Sequence, residues 1–223
     1  LRYLELPRAA PYVEPTWLRR FSSEQIVRPG HGVVVGLDPV SDDEGLVREY
    51  LRHFLAQEGV DAFADHLRRD WLDVELATAR LLAGDPDTRR WTSMLSEGAL
   101  TALRERVEIE LSPRNPRRFA AGDSVTLEVV VKNVPELQIK VFRINALAYF
   151  LARGAEVDTS LDLDGMVAGD ERTVRVEAPP IQRTRLAIDL PGCARPGTYV
   201  VELLGNGKSS RALIRKGALR HTT

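Results

Sequence analysis

Near Val107 the spacing of apolar residues changes from repeats of three and four to strict alternation. That switch limits the chain to a helical part followed by a strand-rich part. Before it, Leu46, Val47, Tyr50, Leu51, Phe54 and Leu55 recur on one helical face, and Phe63, Leu67, Trp71, Val74 and Leu81 on a second. Ser41-Asp-Asp-Glu44 has the form of a capping box, in which a Ser hydroxyl and a Glu carboxylate satisfy free amides at a helix start. A first helix is therefore predicted from there to Gly59. Asp61 reads as the cap of a second, antiparallel helix running to Ala83, with Gly84 as its stop. Asp85-Pro86 reads as the start of a weaker third stripe through Trp91, Met94, Leu95, Leu100 and Leu103, interrupted around Gly98.

After the switch, prolines and glycines punctuate the chain about every ten residues, as in sandwich proteins. The predicted strands are 107–111, 125–132, 138–144, 173–178, 183–189, 199–204 and 210–215. Alternate residues such as Val125, Leu127, Val129 and Val131 are expected in the core. Turns are expected at 121–123 and at the Pro-Gly pairs 191–192 and 196–197. Gly205-Asn206-Gly207 should turn the last hairpin, since these residues accept positive φ. The fold class is α+β: an N-terminal helical unit followed by an antiparallel immunoglobulin-like β-sandwich.

Ahead of both parts, prolines at 7, 11, 15, 29 and 39 make residues 1–40 an irregular arm, expected to run extended over another surface. Its anchors would be Tyr3, Leu4, Tyr12, Trp17, Leu18 and Phe21, with one short strand at 33–37. The domain plan is thus an arm over 1–40, a helical unit over 41–105 and a sandwich over 106–218.

The chain has 223 residues and a formal net charge of −1, with no isolated basic block, which argues against a nucleic-acid or anionic-membrane footprint. The short run Arg114 to Arg118 reads as a solvated loop. Cys193 is the single cysteine, so no intrachain disulfide or all-cysteine zinc site can form. His53 and His66 lack HExxH spacing and read as ordinary helix histidines. Pro29-Gly-His-Gly32 and Gly207-Lys208-Ser209 each lack the glycine spacing and following helix of a phosphate loop. No run has the length of a membrane span, and the opening residues lack a secretion-signal pattern. A start at Leu1 suggests a piece of a longer protein.

The segment from Pro196-Gly-Thr-Tyr199 through Asn206-Gly207 to Gly217, taken with Lys140-Val-Phe-Arg-Ile-Asn145, resembles macroglobulin-like domains of the alpha-2-macroglobulin superfamily, over residues 107–217. The resemblance implies a non-catalytic building block of a larger extracellular or envelope-associated protein. The superfamily's thioester needs Cys-Gly-x-x-Gln. Cys193 is followed by Ala-Arg-Pro, so that chemistry is not implied here.

One acidic stretch asks for a ligand. Counted from Ser160, residues Asp162, Asp164, Gly165 and Glu171 fall at calcium-loop positions three, five, six and twelve, making Ser160, Asp162, Asp164 and Glu171 candidate calcium ligands. Position one is not Asp, however, and no helix–loop–helix surrounds it. Leu161 and Leu163 alternate with the aspartates, so an acidic half-buried strand ending in an Asp-Gly turn is preferred. The pair Glu108 and Glu110, like Asp162 and Asp164, shares a strand face as glycosidase carboxylates can, but solvent-facing acids explain both pairs more simply. No GxSxG elbow, Cys–His context or metal quartet is present.

The expected function is a structural or protein-interaction module that requires no cofactor. Its partner would be another protein or other domains of the parent chain, bound through strand edges or the helix–sandwich junction. Tyr12, Trp17 and Trp91 would be interface anchors if they do not fill the local core. The alternatives are a calcium- or carbohydrate-binding accessory domain, and a hydrolase with an acidic inter-domain site.

Overall fold

The computed structural model describes residues 9–26 and 42–217, with the backbone alone of residues 2–3 and 38–39. Two units divide the chain, residues 1–101 and 102–223. The expected strand at 33–37, the Gly-rich lead at 29–32, and the side chains of Tyr3, Leu4 and Ser41 lie outside the described residues.

In the first unit, β1 (Arg2–Tyr3) pairs in parallel with β2 (Asp38–Pro39). The proline-rich arm is less extended than its composition suggests. Pro15 opens a one-turn helix, α1 (Pro15–Leu18), whose first amides are capped by Glu14 through Thr16. The arm is fastened to the 60–68 segment by backbone bonds from the Arg68 amide to the Tyr12 carbonyl and from the Glu14 amide to the His66 carbonyl, both at 2.9 Å.

α2 (Glu44–Leu55) follows the predicted stripe, but Glu44 is its first residue, so the proposed capping box does not form as read. The Glu44 carboxylate instead accepts from Arg48 and, at 3.1 Å, from the Trp71 indole; these two bonds hold its pKa below the usual value. α3 (Arg69–Ala83) begins seven residues later than predicted from a cap at Asp61, because 61–66 form successive turns. Gly84 stops it with φ +78°, a left-handed conformation that a Cβ would strain. The two helices bury Leu51, Leu55, Leu72 and Ala79 between them. At their contact, fully buried Glu75 is satisfied by Arg48 and by Arg52 at 2.7 Å, which offsets the cost of burying its charge.

α4 (Thr88–Ser93) is capped by Asp87 rather than by Asp85. α5 (Glu97–Glu105) starts just before Gly98, so the interruption falls at 94–96.

In the second unit, a three-stranded antiparallel sheet and a five-stranded sheet face one another. β3 (Glu108–Leu111), β5 (Thr126–Lys132) and β8 (Arg183–Asp189) form the first in the order β3-β5-β8. The second has the order β4-β10-β9-β6-β7, from β4 (Arg118–Phe119), β6 (Glu136–Ile144), β7 (Asp170–Arg175), β9 (Gly197–Gly205) and β10 (Lys208–Lys216). Six predicted strands keep their places. The seventh, expected over 173–178, is shifted three residues toward the N-terminus as β7. Two-residue β4 was not anticipated and is parallel to β10, so the five-stranded sheet is mixed.

Leu127, Val129, Val131, Leu137, Ile139, Val141, Val201, Leu203 and Ile214 fill the space between the sheets. The β9–β10 hairpin turns at Asn206 and Gly207, with φ +44° and +76°. Lys208, in the Gly-Lys-Ser sequence, sits in β10 and donates to the Val107 carbonyl at 3.3 Å. Pro196-Gly-Thr-Tyr199 forms a tyrosine corner: the Tyr199 ring is buried, and its hydroxyl donates to the Arg195 carbonyl at 2.6 Å. Immunoglobulin-like sandwiches use such corners widely, so this motif reports the fold before it reports any superfamily.

A candidate docking face

Toward the end of β6 and the start of β9 the sheet is apolar on both faces, and the second face leads to the site. Phe142, Ile144 and Val200 point away from the inter-sheet core into a second buried cluster with Val157 and Leu163. A sheet buried on both sides needs a cover. Here the cover is a helix that sequence reading missed, α6 (Ala146–Arg153), together with the irregular strap of residues 156–168. The signals for α6 are visible in retrospect. Asn145 caps it by accepting from the Ala148 amide at 3.1 Å, Ala-Leu-Ala-Tyr-Phe-Leu-Ala are competent helix residues, and Gly154 ends it with φ +68°.

Two arginines of β10 pin the strap. Arg211 pairs with Glu202 and donates to the Leu161 carbonyl at 2.9 Å; Arg215 pairs with Glu156 at 2.8 Å. Ala146 and Tyr149 of α6 turn inward against the sheet cluster. The outward face is also apolar: Leu147 is 69 % exposed, Phe150 51 % and Leu151 76 %. These positions, spaced i, i+3 and i+4, form one stripe. Three large apolar side chains presented to water on one helix face make an unpartnered face, and such patches mark interaction sites. Burying what is exposed here would contribute on the order of 3–6 kcal/mol, the equivalent of about two whole side chains.

Beside α6 lies a groove of about 560 Å³ with Ala146, Leu147 and Phe150 on one wall and Arg118 and Arg215 on the other. Arg118, taken from the sequence as part of a solvated loop, sits in β4 opposite Arg215 in the parallel register.

The other candidate residues lie elsewhere. In the 158–171 segment, Ser160 donates from both its amide and its hydroxyl to Asp158, at 2.8 and 2.6 Å, which depresses the Asp158 pKa. Asp162 accepts from the Asp164 amide at 3.0 Å, and Glu171, in β7, accepts from Gln138 at 2.7 Å. Among the described residues no three His, Cys, Asp or Glu side chains gather as a metal set, so Asp162, Asp164 and Glu171 do not converge. Leu161 and Leu163 do turn inward, but the expected strand is a loop whose leucines cover the sheet.

Tyr12 and Trp91 are buried, and Tyr12 packs on Trp71 at 5.3 Å between centroids. Trp17 contacts Phe21 and His66, at 5.1 and 5.4 Å. Burial removes Tyr12 and Trp91 as free anchors, while Trp17 stays half-buried.

Glu108 and Glu110 do not act as a carboxylate pair. Glu108 is 3 % exposed and bonded to Arg183 at 2.6 Å and Arg106 at 2.5 Å, whereas Glu110 faces solvent. Burial pushes the Glu108 pKa up, but Arg183, Arg106 and Lys132 outweigh it and leave the pKa below the ordinary value. Lys132, 1 % exposed, donates to the Arg106 carbonyl at 2.6 Å, and burial brings its pKa down to about 8.

Comparison with known proteins divides the chain in the same sense. A family model described as the actin-binding protein F N-terminal domain matches residues 1–107, and one described as the AbpF first immunoglobulin-like domain matches 137–217. Actin-binding protein F of Dictyostelium discoideum is 33 % identical over 225 residues, covering 98 % of this chain. The chain spans 9 % of the length of that relative. Among solved structures, a fragment of Escherichia coli alpha-2-macroglobulin spanning domains MG0-NIE-MG1 is similar with a TM-score of 0.37 and 15 % identity, over 50 % of this chain and 39 % of that one. From the sheet topology and the family match together, the chain is a helical region followed by an immunoglobulin-like sandwich.

Proposed function

We propose that this chain is a non-catalytic protein-interaction module that docks through the outward face of α6, with filamentous actin as its partner. The observation that carries the reading is the exposure of Leu147, Phe150 and Leu151 on a helix fixed at both ends, by its Asn145 cap and its Gly154 stop. A helix already formed and capped spends no backbone ordering on binding, which favours its use as an interface. The choice of actin rests on the name of the Dictyostelium relative and on the match of both units to parts of that protein.

Co-sedimentation with actin filaments tests the proposal. The wild-type chain should pellet with filaments, and Leu147→Ser/Leu151→Ser should lose at least ten-fold in affinity, about 1.4 kcal/mol. Both positions are solvent-exposed, so the variant should melt with the wild type. Pelleting of the variant with unchanged affinity would remove α6 from the interface. Absence of pelleting by the wild type would remove actin as the partner.

A further inference from the structure

We infer that the groove beside α6 takes an acidic segment of a partner protein carrying one large apolar anchor. This rests on the reading of α6 as a docking face and names the chemistry of what docks there.

One wall of the groove is apolar, built from Leu147 and Phe150 with Val157 of the strap. The opposite wall is cationic for a topological reason. Parallel pairing sets Arg118 opposite Arg215, so a two-residue strand places a second guanidinium beside that of Arg215 at the end of β10. Lys216, opposite Phe119, alternates to the inter-sheet side, where its charge acts on Cys193. Glu156 is the one carboxylate in the lining, and Arg215 already holds it at 2.8 Å. Arg118 is exposed and makes no ion pair among the described residues, so it is the cation left for an arriving carboxylate.

An occupant must therefore present apolar bulk to α6 and negative charge to β4 and β10. A side-chain anchor flanked by Asp or Glu does both. The apolar wall gives a polyphosphate nothing to bind. A flat lipid surface does not enter a concave groove of about 560 Å³, whose volume suits a few side chains.

The test is selection of random twelve-residue peptides on the full 223-residue chain, followed by fluorescence anisotropy on those enriched. The expected peptides carry an aromatic or large aliphatic residue flanked by Asp and Glu. Their Kd should rise at least ten-fold in Arg118→Glu and in Leu147→Ser, and should rise with salt between about 50 and 300 mM. Arg118→Lys should retain most binding. Because Arg118 is exposed, its variants should keep the wild-type melting temperature, which a melt checks directly.

Enrichment of basic or uncharged peptides would overturn the inference, as would binding indifferent to Arg118→Glu. So would Leu147-dependent binding to phosphatidylserine vesicles with no acidic peptide enriched. The two proposals fail separately. Acidic peptides in the groove without actin pelleting would refute actin alone. Actin pelleting that needs Leu147 but ignores Arg118→Glu would refute the acidic segment alone.

Discussion

Replacing Glu108 by Gln should destabilise the sandwich by about 3–5 kcal/mol at pH 7, the usual cost of removing one partner from a buried charge network. The carboxylate is 3 % exposed and serves three cations: Arg183 at 2.6 Å, Arg106 at 2.5 Å, and the field of Lys132, which is itself 1 % exposed. The two arginines reach solvent when released. The Lys132 ammonium does not, and it bears most of the loss.

This assigns a pH signature. Burial brings the Lys132 pKa down to about 8 in the folded state from an ordinary 10.5, so between those limits the unfolded chain holds a proton that the folded chain has released. Stability from this group therefore rises with pH through that window, by up to about 3 kcal/mol for the full shift. The Glu108 shift gives the same sense in a lower window, in acid. Its folded pKa lies below 4.5, so its contribution is present above that value and lost as pH falls through the folded pKa. In Glu108→Gln the carboxylate that sustains the Lys132 charge is gone, so the penalty should shrink between pH 7 and pH 10 as Lys132 becomes neutral.

Urea unfolding followed by far-UV circular dichroism measures this for the sandwich. Tryptophan fluorescence reports separately on the helical unit, because Trp17, Trp71 and Trp91 all precede residue 102. A loss under about 1 kcal/mol at pH 7, or a penalty that persists undiminished at pH 10, would refute the reasoning.

Tyr199→Phe keeps the ring but leaves the Arg195 carbonyl without its 2.6 Å donor. It should cost about 1–3 kcal/mol in the same urea experiment, and an unchanged midpoint would show the corner to be dispensable. Arg211→Ala/Arg215→Ala releases the strap from the Leu161 carbonyl and Glu156. Amide exchange over 156–163 should then quicken by at least ten-fold while β5 amides keep their protection, and uniform loss across the sandwich would argue against a local pin.

Strands were legible in the sequence wherever a β-branched alternation met a turn, as at 125–132 and 183–189, because a strand with one buried face has few competing readings. Helix starts were less legible. Asp61 has the chemistry of a cap, yet 61–66 make turns, since the arm occupies the flank of that segment and ties Tyr12 and Glu14 to its backbone. The docking helix was missed because Asn145 alone separates the strand ending at Ile144 from Ala-Leu-Ala, and one capping residue between two apolar segments does not show where period two gives way to 3.6. Arg118 was read as a loop charge because a two-residue strand has no pattern of its own. Its neighbour across the parallel pair, Arg215, is almost a hundred residues away in the chain. What the site depends on is thus long-range pairing, to which local spacing is blind.

A single environment-sensitive fluorophore on α6 gives the most direct test of the docking claim. Cys193 is fully buried, and burial pushes its thiol up to about 11, so it should stay unlabelled at neutral pH. Leu151→Cys can then be labelled alone, with Glu128→Cys, exposed on the three-stranded sheet, as the matched control. Titrated with actin filaments, the label at position 151 should shift to the blue and saturate, while the label at 128 stays constant. A shift at 128 with none at 151 would contradict the account and move the interface to the other sheet.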